Sequence, residues 1–208
     1  AIGLFTTVRD VNNRPNNPLT SSVADTNISK TGGQKQAIGL ILSRGKNRLG
    51  GNENSRRFTL IGDPSMQLAS PEYQVVMTEI NSKTVAAGKK DTLQSLQPVT
   101  LKGLIRDGQN GQTLTNFNGT LFVTIFDKKT LVKTLGNDPG SYISPFEVRK
   151  NVIFKGKATV KNGLWTVNFI VPKDIQYQFG QGKVSFYAED GTPNDAAGFY
   201  DDIIIGGT

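Results

Sequence analysis

One short segment combines two side chains that hydrolytic enzymes use. Asp63 and Ser65 lie two residues apart in Gly62-Asp63-Pro64-Ser65, directly after the strand-like run 58–61. A serine becomes a nucleophile only when a neighbouring base activates its hydroxyl, and the chain contains no histidine for that task. Asp and Pro are also the residues that make turns. We therefore interpret Gly62, Asp63 and Pro64 as a structural turn and assign no catalytic residue.

Acidic residues near the C-terminus suggest a second kind of chemistry. Ca²⁺ binds six to eight oxygen ligands, and loops at the end of a β domain supply them in some proteins. Solvated turns explain the same residues, and their spacing does not match an EF-hand. The sequence therefore predicts no cofactor and keeps a calcium site only as the alternative to solvated turns, with these candidate ligands: Glu189, Asp190, Asp195, Asp201 and Asp202.

Two residue types are missing from the chain. There is no Cys and no His among the 208 residues, which excludes a Cys nucleophile, a His base, a Cys/His zinc site and a disulfide framework within this polypeptide. The chain begins Ala1-Ile2-Gly3 without an initiator Met. We expect it to be part of a longer protein, with any export signal upstream.

The net charge of +7 does not indicate a nucleic-acid partner. The densest basic stretch, 44–57, has no interleaved aromatic residues, and basic residues at the end of a helix explain it equally well. No apolar run approaches the ~18 residues of a membrane span, so direct membrane insertion is not expected.

Residues 1–70 predict a small α/β unit. The apolar run 2–8 is typical of a strand covered on both faces in a parallel sheet. A polar loop follows, then helical spacing over 34–49, then the strand 58–61. Strand, loop, helix and strand in this order indicate one βαβ-type unit, which is too small to be a domain by itself.

Residues 71–208 predict a β domain. Asn162-Gly163 favours a tight hairpin between two of its strands, and Trp165 is the expected large core residue. Seven or eight short antiparallel strands in such a length are typical of an immunoglobulin-like β-sandwich. The candidate strands are 73–80, 99–106, 120–126, 131–135, 152–160, 164–171, 183–188 and 199–205. The predicted fold class is therefore mainly β.

The segment 58–68, FTLIGDPSMQL, resembles the end of the catalytic domain of gingipain-type cysteine peptidases, where a β-sandwich follows. Further motifs are similar to one branch of that family, the sortase of the type IX secretion system. They are Phe117-Asn118-Gly119, Thr124-Ile125-Phe126-Asp127-Lys128, Val171-Pro172-Lys173-Asp174-Ile175 and Ser185-Phe186-Tyr187-Ala188.

The resemblance implies that residues 1–70 are the end of a caspase-like peptidase domain and that residues 71–208 are an Ig-like domain. The family's catalytic His and Cys would precede Ala1, so the chain itself would be a non-catalytic C-terminal fragment. The resemblance also implies a border of the substrate pocket, formed by Thr6, Thr7, Val8, Arg9 and Asp10. An ordinary strand end followed by a surface turn explains these five residues equally well.

The intact protein would remove C-terminal sorting signals from secreted cargo, with the sandwich as a support and docking domain. The implied partners are the upstream catalytic domain of the same chain, protein cargo and other secretion proteins at the outer membrane. The implied location is the bacterial outer-membrane surface or the exterior, and exposed apolar surface on the fragment predicts self-association. Two alternatives remain: the support domain of a secreted gingipain-like protease, or a cell-surface adhesion or carbohydrate-binding module.

Overall fold

The computed structural model describes residues 4–8, 13–25, 30–31, 34–50, 53–68, 71–85, 88–192 and 195–207. Contacts divide the chain into two units, residues 1–70 and residues 71–208. The family identities predicted for these two ranges stay predictions. The elements of the first unit are β1 (Leu4–Thr7), α1 (Asn13–Asp25), β2 (Lys30–Thr31), β3 (Gln34–Lys35), α2 (Ile38–Arg48), α3 (Glu53–Arg56) and β4 (Phe58–Ile61).

The two longer strands of the first unit do not form the predicted parallel arrangement. β1 pairs with β4 antiparallel, with Phe5 opposite Leu60 and Thr6 opposite Thr59. Leu4 and Ile61 are more than half exposed. The prediction of a covered parallel strand was wrong because an apolar run is also compatible with a two-stranded antiparallel ribbon. A caspase-like origin is not established by this arrangement.

A helix replaces part of the predicted polar loop. α1 contains Pro18 and has weak intrinsic helix propensity. Tertiary packing stabilises it, because Leu19 is buried and the Ser22 hydroxyl donates a hydrogen bond to the carbonyl of Gly45 in α2 at 3.0 Å. A Cβ at Gly45 would lie 2.7 Å from a methyl of Val23. The close approach of the two helices therefore depends on glycine.

The second unit confirms the prediction of a mainly-β chain. Its strands are β5 (Tyr73–Ile80), β6 (Lys83–Thr84), β7 (Asp91–Leu93), β8 (Pro98–Asp107), β9 (Gly119–Phe126), β10 (Thr130–Lys133), β11 (Pro145–Val148), β12 (Val152–Lys161), β13 (Leu164–Ile170), β14 (Gly180–Gln181), β15 (Lys183–Glu189), β16 (Asp195–Tyr200) and β17 (Ile203–Ile205). Every predicted strand overlaps one of these. The predicted strand 199–205 is divided between β16 and β17, which belong to different sheets.

Among the described strands, one sheet has eight members, and seven of them close on themselves while β6 pairs only with β5. The order is β16-β15-β9-β12-β13-β8-β5, and β5 pairs again with β16. Two junctions are short: β12 and β13 pair only at Val160/Trp165 and Lys161/Leu164, and β5 and β16 pair in parallel at two positions. The sheet is therefore a barrel of two halves joined along short seams. The immunoglobulin-like sandwich stays a prediction.

The core fills the space between these halves. Inward residues alternate along each strand, for example Leu121, Val123 and Ile125 in β9, which are completely buried. Trp165 is buried as predicted and packs against Phe186 with ring centroids 5.0 Å apart. Asn162 and Gly163 both have positive φ, 50° and 73°, which confirms the predicted tight turn.

Candidate functional site

The predicted pocket border lies partly in β1. Thr6 and Thr7 are half-buried and pair with Thr59 and Phe58. Val8 is 68% exposed, and its backbone N–H donates to the carbonyl of Arg57 at 3.1 Å. Arg9 and Asp10 lie outside the described residues. The three described residues are therefore a strand end beside β4, and their relation to a substrate pocket stays a prediction.

The segment Gly62-Asp63-Pro64-Ser65 has the geometry of a turn. The Ser65 hydroxyl donates to Asp63 Oδ1 at 2.7 Å, and the Ser65 backbone N–H donates to the same oxygen at 2.8 Å. These hydrogen bonds, the hydroxyl one first, lower the pKa of Asp63. A carboxylate with a lowered pKa is a weaker base, so Asp63 is poorly suited to activate Ser65.

The structure does not gather the five acidic candidates into one metal site. Across the described residues, no three Asp or Glu side chains are close enough to hold a metal ion. Asp190 instead accepts hydrogen bonds from Thr192, and Asp195 Oδ2 accepts one from the Tyr187 hydroxyl at 3.0 Å. The carbonyl of Asp201 accepts a hydrogen bond from Gln181, and the charge of Asp202 acts on Tyr200. Calcium stays an alternative without a site in the described part of the chain.

The hairpin of β10 and β11 carries several exposed apolar side chains. β10 and β11 pair only with each other among the described strands, with Val132 opposite Phe146. Leu135 is 80% exposed and Tyr142 is 89% exposed. The Thr134 backbone N–H donates to the carbonyl of Ser144 at 3.0 Å, which extends the pairing beyond the strands. The exposed apolar side chains are Leu131, Leu135, Tyr142, Ile143 and Phe146.

Sequence reasoning did not identify this hairpin. It predicted the strand 131–135 as part of the domain and did not identify β11. The available signal was the turn-rich stretch Gly136-Asn137-Asp138-Pro139-Gly140, flanked by apolar residues on both sides. That pattern predicts a hairpin, but it does not show that both faces lie outside the core.

Aromatic residues also lie on the outer face of the barrel, where Tyr187 and Phe199 are exposed. Tyr187 and Phe122 are cross-strand neighbours with ring centroids 6.0 Å apart. The Lys157 amine lies 4.9 Å from the centroid of Phe122, and the Lys183 amine lies 4.8 Å from that of Phe199. Both arrangements are cation–π contacts.

A groove of 580 Å³ opens where β5 and β16 separate. These strands pair only at Tyr73/Ala196 and Gln74/Ala197. Beyond the paired residues the groove lies between Val76 on one side and Phe199 on the other. The sequence contains no direct signal for this groove, because it depends on how the barrel closes.

The geometry defines a closed, mainly-β barrel with a separate hairpin that carries exposed apolar residues, preceded in the chain by a smaller unit of short helices and strands. No family model matches the chain. A search of curated proteins also finds no match. Within the described residues, no helix is long and apolar enough to cross a membrane.

Among solved structures, the chain is similar to dimeric latent PorU from Porphyromonas gingivalis. The sequence identity is 31% and the TM-score is 0.57, over 81% of this chain and 16% of that chain. The chain therefore spans only a small part of the length of PorU. This likeness supports a PorU-like family for the chain, in line with the resemblance drawn from its motifs.

Two further structures have weaker likeness. Spo0M, a sporulation control protein from Bacillus subtilis, has 12% identity and a TM-score of 0.37 over 67% of this chain and 51% of that one. A conjugative transposon lipoprotein from Bacteroides eggerthii has 10% identity and a TM-score of 0.29 over 64% of this chain and 97% of that one. With TM-scores below 0.5, neither carries an argument about this chain.

Proposed function

We propose that this chain is a non-catalytic part of a gingipain-type cysteine peptidase related to PorU. The observation that carries the proposal is the 31% identity to PorU over 81% of the chain. The sequence contains no Cys, so the chain cannot hold a catalytic Cys of its own. In the whole protein the nucleophile and its base would lie outside these 208 residues.

The strand order supports an immunoglobulin-like domain as the second unit. Counting only the barrel strands, the first, second and fifth (β5, β8, β13) are neighbours, and so are the third, sixth and seventh (β9, β15, β16). Immunoglobulin-like sandwiches group their strands in this way. Residues 1–70 would then be the last part of the peptidase domain, ending near the Asp63 turn.

The role that we propose for the second unit is that of a support and docking domain. Its rigid barrel would pack on the upstream catalytic domain, and the β10–β11 hairpin would contact a partner. PorU is described as dimeric, so a second copy of the same protein is one such partner. Secretion proteins at the outer membrane and protein cargo are others, and the proposed location is the outer-membrane surface or the exterior.

For the whole protein we propose cleavage of C-terminal sorting signals from cargo. A secreted protease with the same support domain is the alternative within the family. The decisive experiment compares this 208-residue chain with a longer polypeptide that includes the upstream catalytic residues, on peptides that span a sorting-signal cleavage site. Cleavage by the longer polypeptide alone supports the proposal. Cleavage by the short chain would refute it.

The hairpin role has its own test. Leu135→Ser and Tyr142→Ser remove exposed apolar side chains without disturbing the barrel core. Ile170→Ser is the control, because Ile170 is also an exposed apolar residue, at 66%, but lies on β13. Sedimentation velocity would measure self-association. Weaker self-association in the hairpin variants, with an unchanged control, supports docking through the hairpin. Equal self-association in all of the variants argues against it.

One observation favours a second candidate function, a carbohydrate-binding module. Tyr187, Phe122 and Phe199 lie on the outer face of the barrel beside lysines. Aromatic side chains with a few placed polar groups are the usual lining of small-molecule sites, and a saccharide is one ligand that could use them. A glycan array distinguishes a carbohydrate-binding module from a support domain. Only the carbohydrate-binding module should bind one polysaccharide selectively at micromolar concentration, and Tyr187→Ala should abolish that binding.

A further inference from the structure

The groove between β5 and β16 has an apolar floor. Val75, Met77 and Phe186 line it, and all three are core residues with exposures below 7%. The more exposed apolar surface of the groove belongs to Val76 and Phe199, which also line it. An apolar side chain that enters the groove would remove this surface from water, which favours binding.

The walls of the groove are edges of strands. β5 pairs with β16 at Tyr73 and Gln74 and with β6 at Glu79 and Ile80, and both partners lie along the same edge of β5. Between them, Val76 and Met77 have no strand partner on that edge among the described strands, whereas the carbonyl oxygen of Val75 faces Gly198 of β16. An unpaired strand edge offers backbone N–H and C=O groups to an added strand.

The rim of the groove is positively charged. Arg106 and Lys183 line it, and no acidic residue does. Neither cation forms an ion pair with a described residue: Arg106 Nε donates to Gln74 Oε1 at 2.9 Å, and the Lys183 amine lies over Phe199. The rim therefore complements a ligand with negative charge.

We propose that this groove binds an extended acidic peptide, which adds a short strand to the free edge of β5. Alternate side chains of an extended strand point to opposite sides. One apolar side chain would enter the groove above Val75 and Met77, and flanking carboxylates would meet Arg106 and Lys183. Peptide recognition by strand addition obtains affinity from backbone hydrogen bonds and specificity from such side-chain contacts. The groove lies within residues 71–208, so this binding does not depend on a peptidase parent.

The experiment uses three blocked hexapeptides and the ¹⁵N-labelled 208-residue chain. The first peptide alternates Asp and Val, the second alternates Lys and Val, and the third is the acidic peptide with N-methylated backbone amides on one edge. We expect the acidic peptide alone to shift the amide resonances of 75–77 and 198–200. The basic peptide lacks the complementary charge, and the N-methylated peptide cannot complete the backbone pairing.

Two rim variants test the charge contribution. Arg106→Gln and Lys183→Gln are each expected to weaken binding about two- to fivefold, as for an exposed ion pair. Lys161→Gln, an exposed lysine on the β12–β13 hairpin, is the control and should bind like the unaltered chain.

Several outcomes would overturn the proposal. No shift with the acidic peptide at millimolar concentration excludes a peptide site in the groove. Equal affinity for the N-methylated peptide would mean that charge alone holds the ligand. Shifts that map to Phe122 and Tyr187, or binding of a heparin disaccharide without binding of the peptide, would assign the charged surface to saccharides instead.

Discussion

The Lys128 amine lies 2.8 Å from Asp127 Oδ1, and both side chains are at least nine-tenths buried. The amine also donates to the carbonyl of Gln176 at 3.0 Å, and the Lys128 backbone N–H donates to the same Asp127 oxygen. The pair directly precedes Lys129 and β10. It therefore joins the end of β9, the base of the hairpin and the loop that contains Gln176.

Removing one partner of this pair should lower the free energy of unfolding. Asp127→Ala leaves a buried amine without its counter-charge, and we expect a loss of about 3–5 kcal/mol in the free energy of unfolding. Lys128→Met should also destabilise the protein, because it leaves the carboxylate unpaired. Urea unfolding of the single and double variants measures the coupling. A double variant that loses the full sum of the single losses would show that the pair is not coupled.

The two residues of the turn between β12 and β13 should differ in how much their substitution destabilises the protein. Gly163 has a φ of +73°, and a Cβ there would lie 2.3 Å from the carbonyl oxygen of Leu114. Gly163→Ala should therefore destabilise the protein by about 1–3 kcal/mol. Asn162→Gly is the matched control and should change stability by less than about 0.5 kcal/mol. Thermal unfolding of both variants makes the comparison. Equal losses would contradict the role of positive φ at Gly163.

Closure of the barrel should depend on Gly198. A Cβ at this position would lie 2.0 Å from the carbonyl oxygen of Val75, a backbone atom that cannot move without separating β5 from β16. We expect Gly198→Ala to cost about 1–3 kcal/mol and to speed amide hydrogen exchange along the seam. Ala197→Ser, one residue earlier, should leave both quantities unchanged. Slow exchange at 73–75 in Gly198→Ala would show that the seam does not need glycine.

Tyr200 should limit stability at alkaline pH. Burial, and then the charges of Asp202, Asp91 and Asp201, raise the pKa of its hydroxyl above the ordinary value. The unfolded chain therefore loses this proton at lower pH than the folded one, so the stability that the tyrosine contributes is present below pH 10 and falls as pH rises above it. Tyr200→Phe should reduce this alkaline loss.

The same substitution has a second expected effect at neutral pH. The Tyr200 hydroxyl is buried without a hydrogen-bond partner among the described residues. Removing such a group is neutral or stabilising, by up to about 1 kcal/mol. Urea unfolding at pH 7 and pH 10.5 tests both effects, and a Tyr200→Phe variant that is clearly less stable at pH 7 would indicate a hydrogen bond in solution.

Local features of this protein follow from the sequence because they depend on neighbouring residues. The absence of Cys and His excludes a catalytic cysteine whatever the fold is. Alternation of apolar residues located the barrel strands, because inward positions recur every second residue. Asn162-Gly163 located the tight turn through its positive φ values.

The tertiary structure decided the features that depend on distant segments. Alternation does not reveal strand partners, so the antiparallel pairing of β1 with β4, the closure of β5 on β16 and the groove beside it were not predictable. Helix α1 forms because Leu19 is buried and Ser22 bonds to α2, not because its residues favour a helix. Burial of the Asp127–Lys128 pair likewise needs the loop at Gln176, 48 residues further along the chain. A sequence pattern specifies which face of a strand is apolar, whereas only packing determines what that face meets.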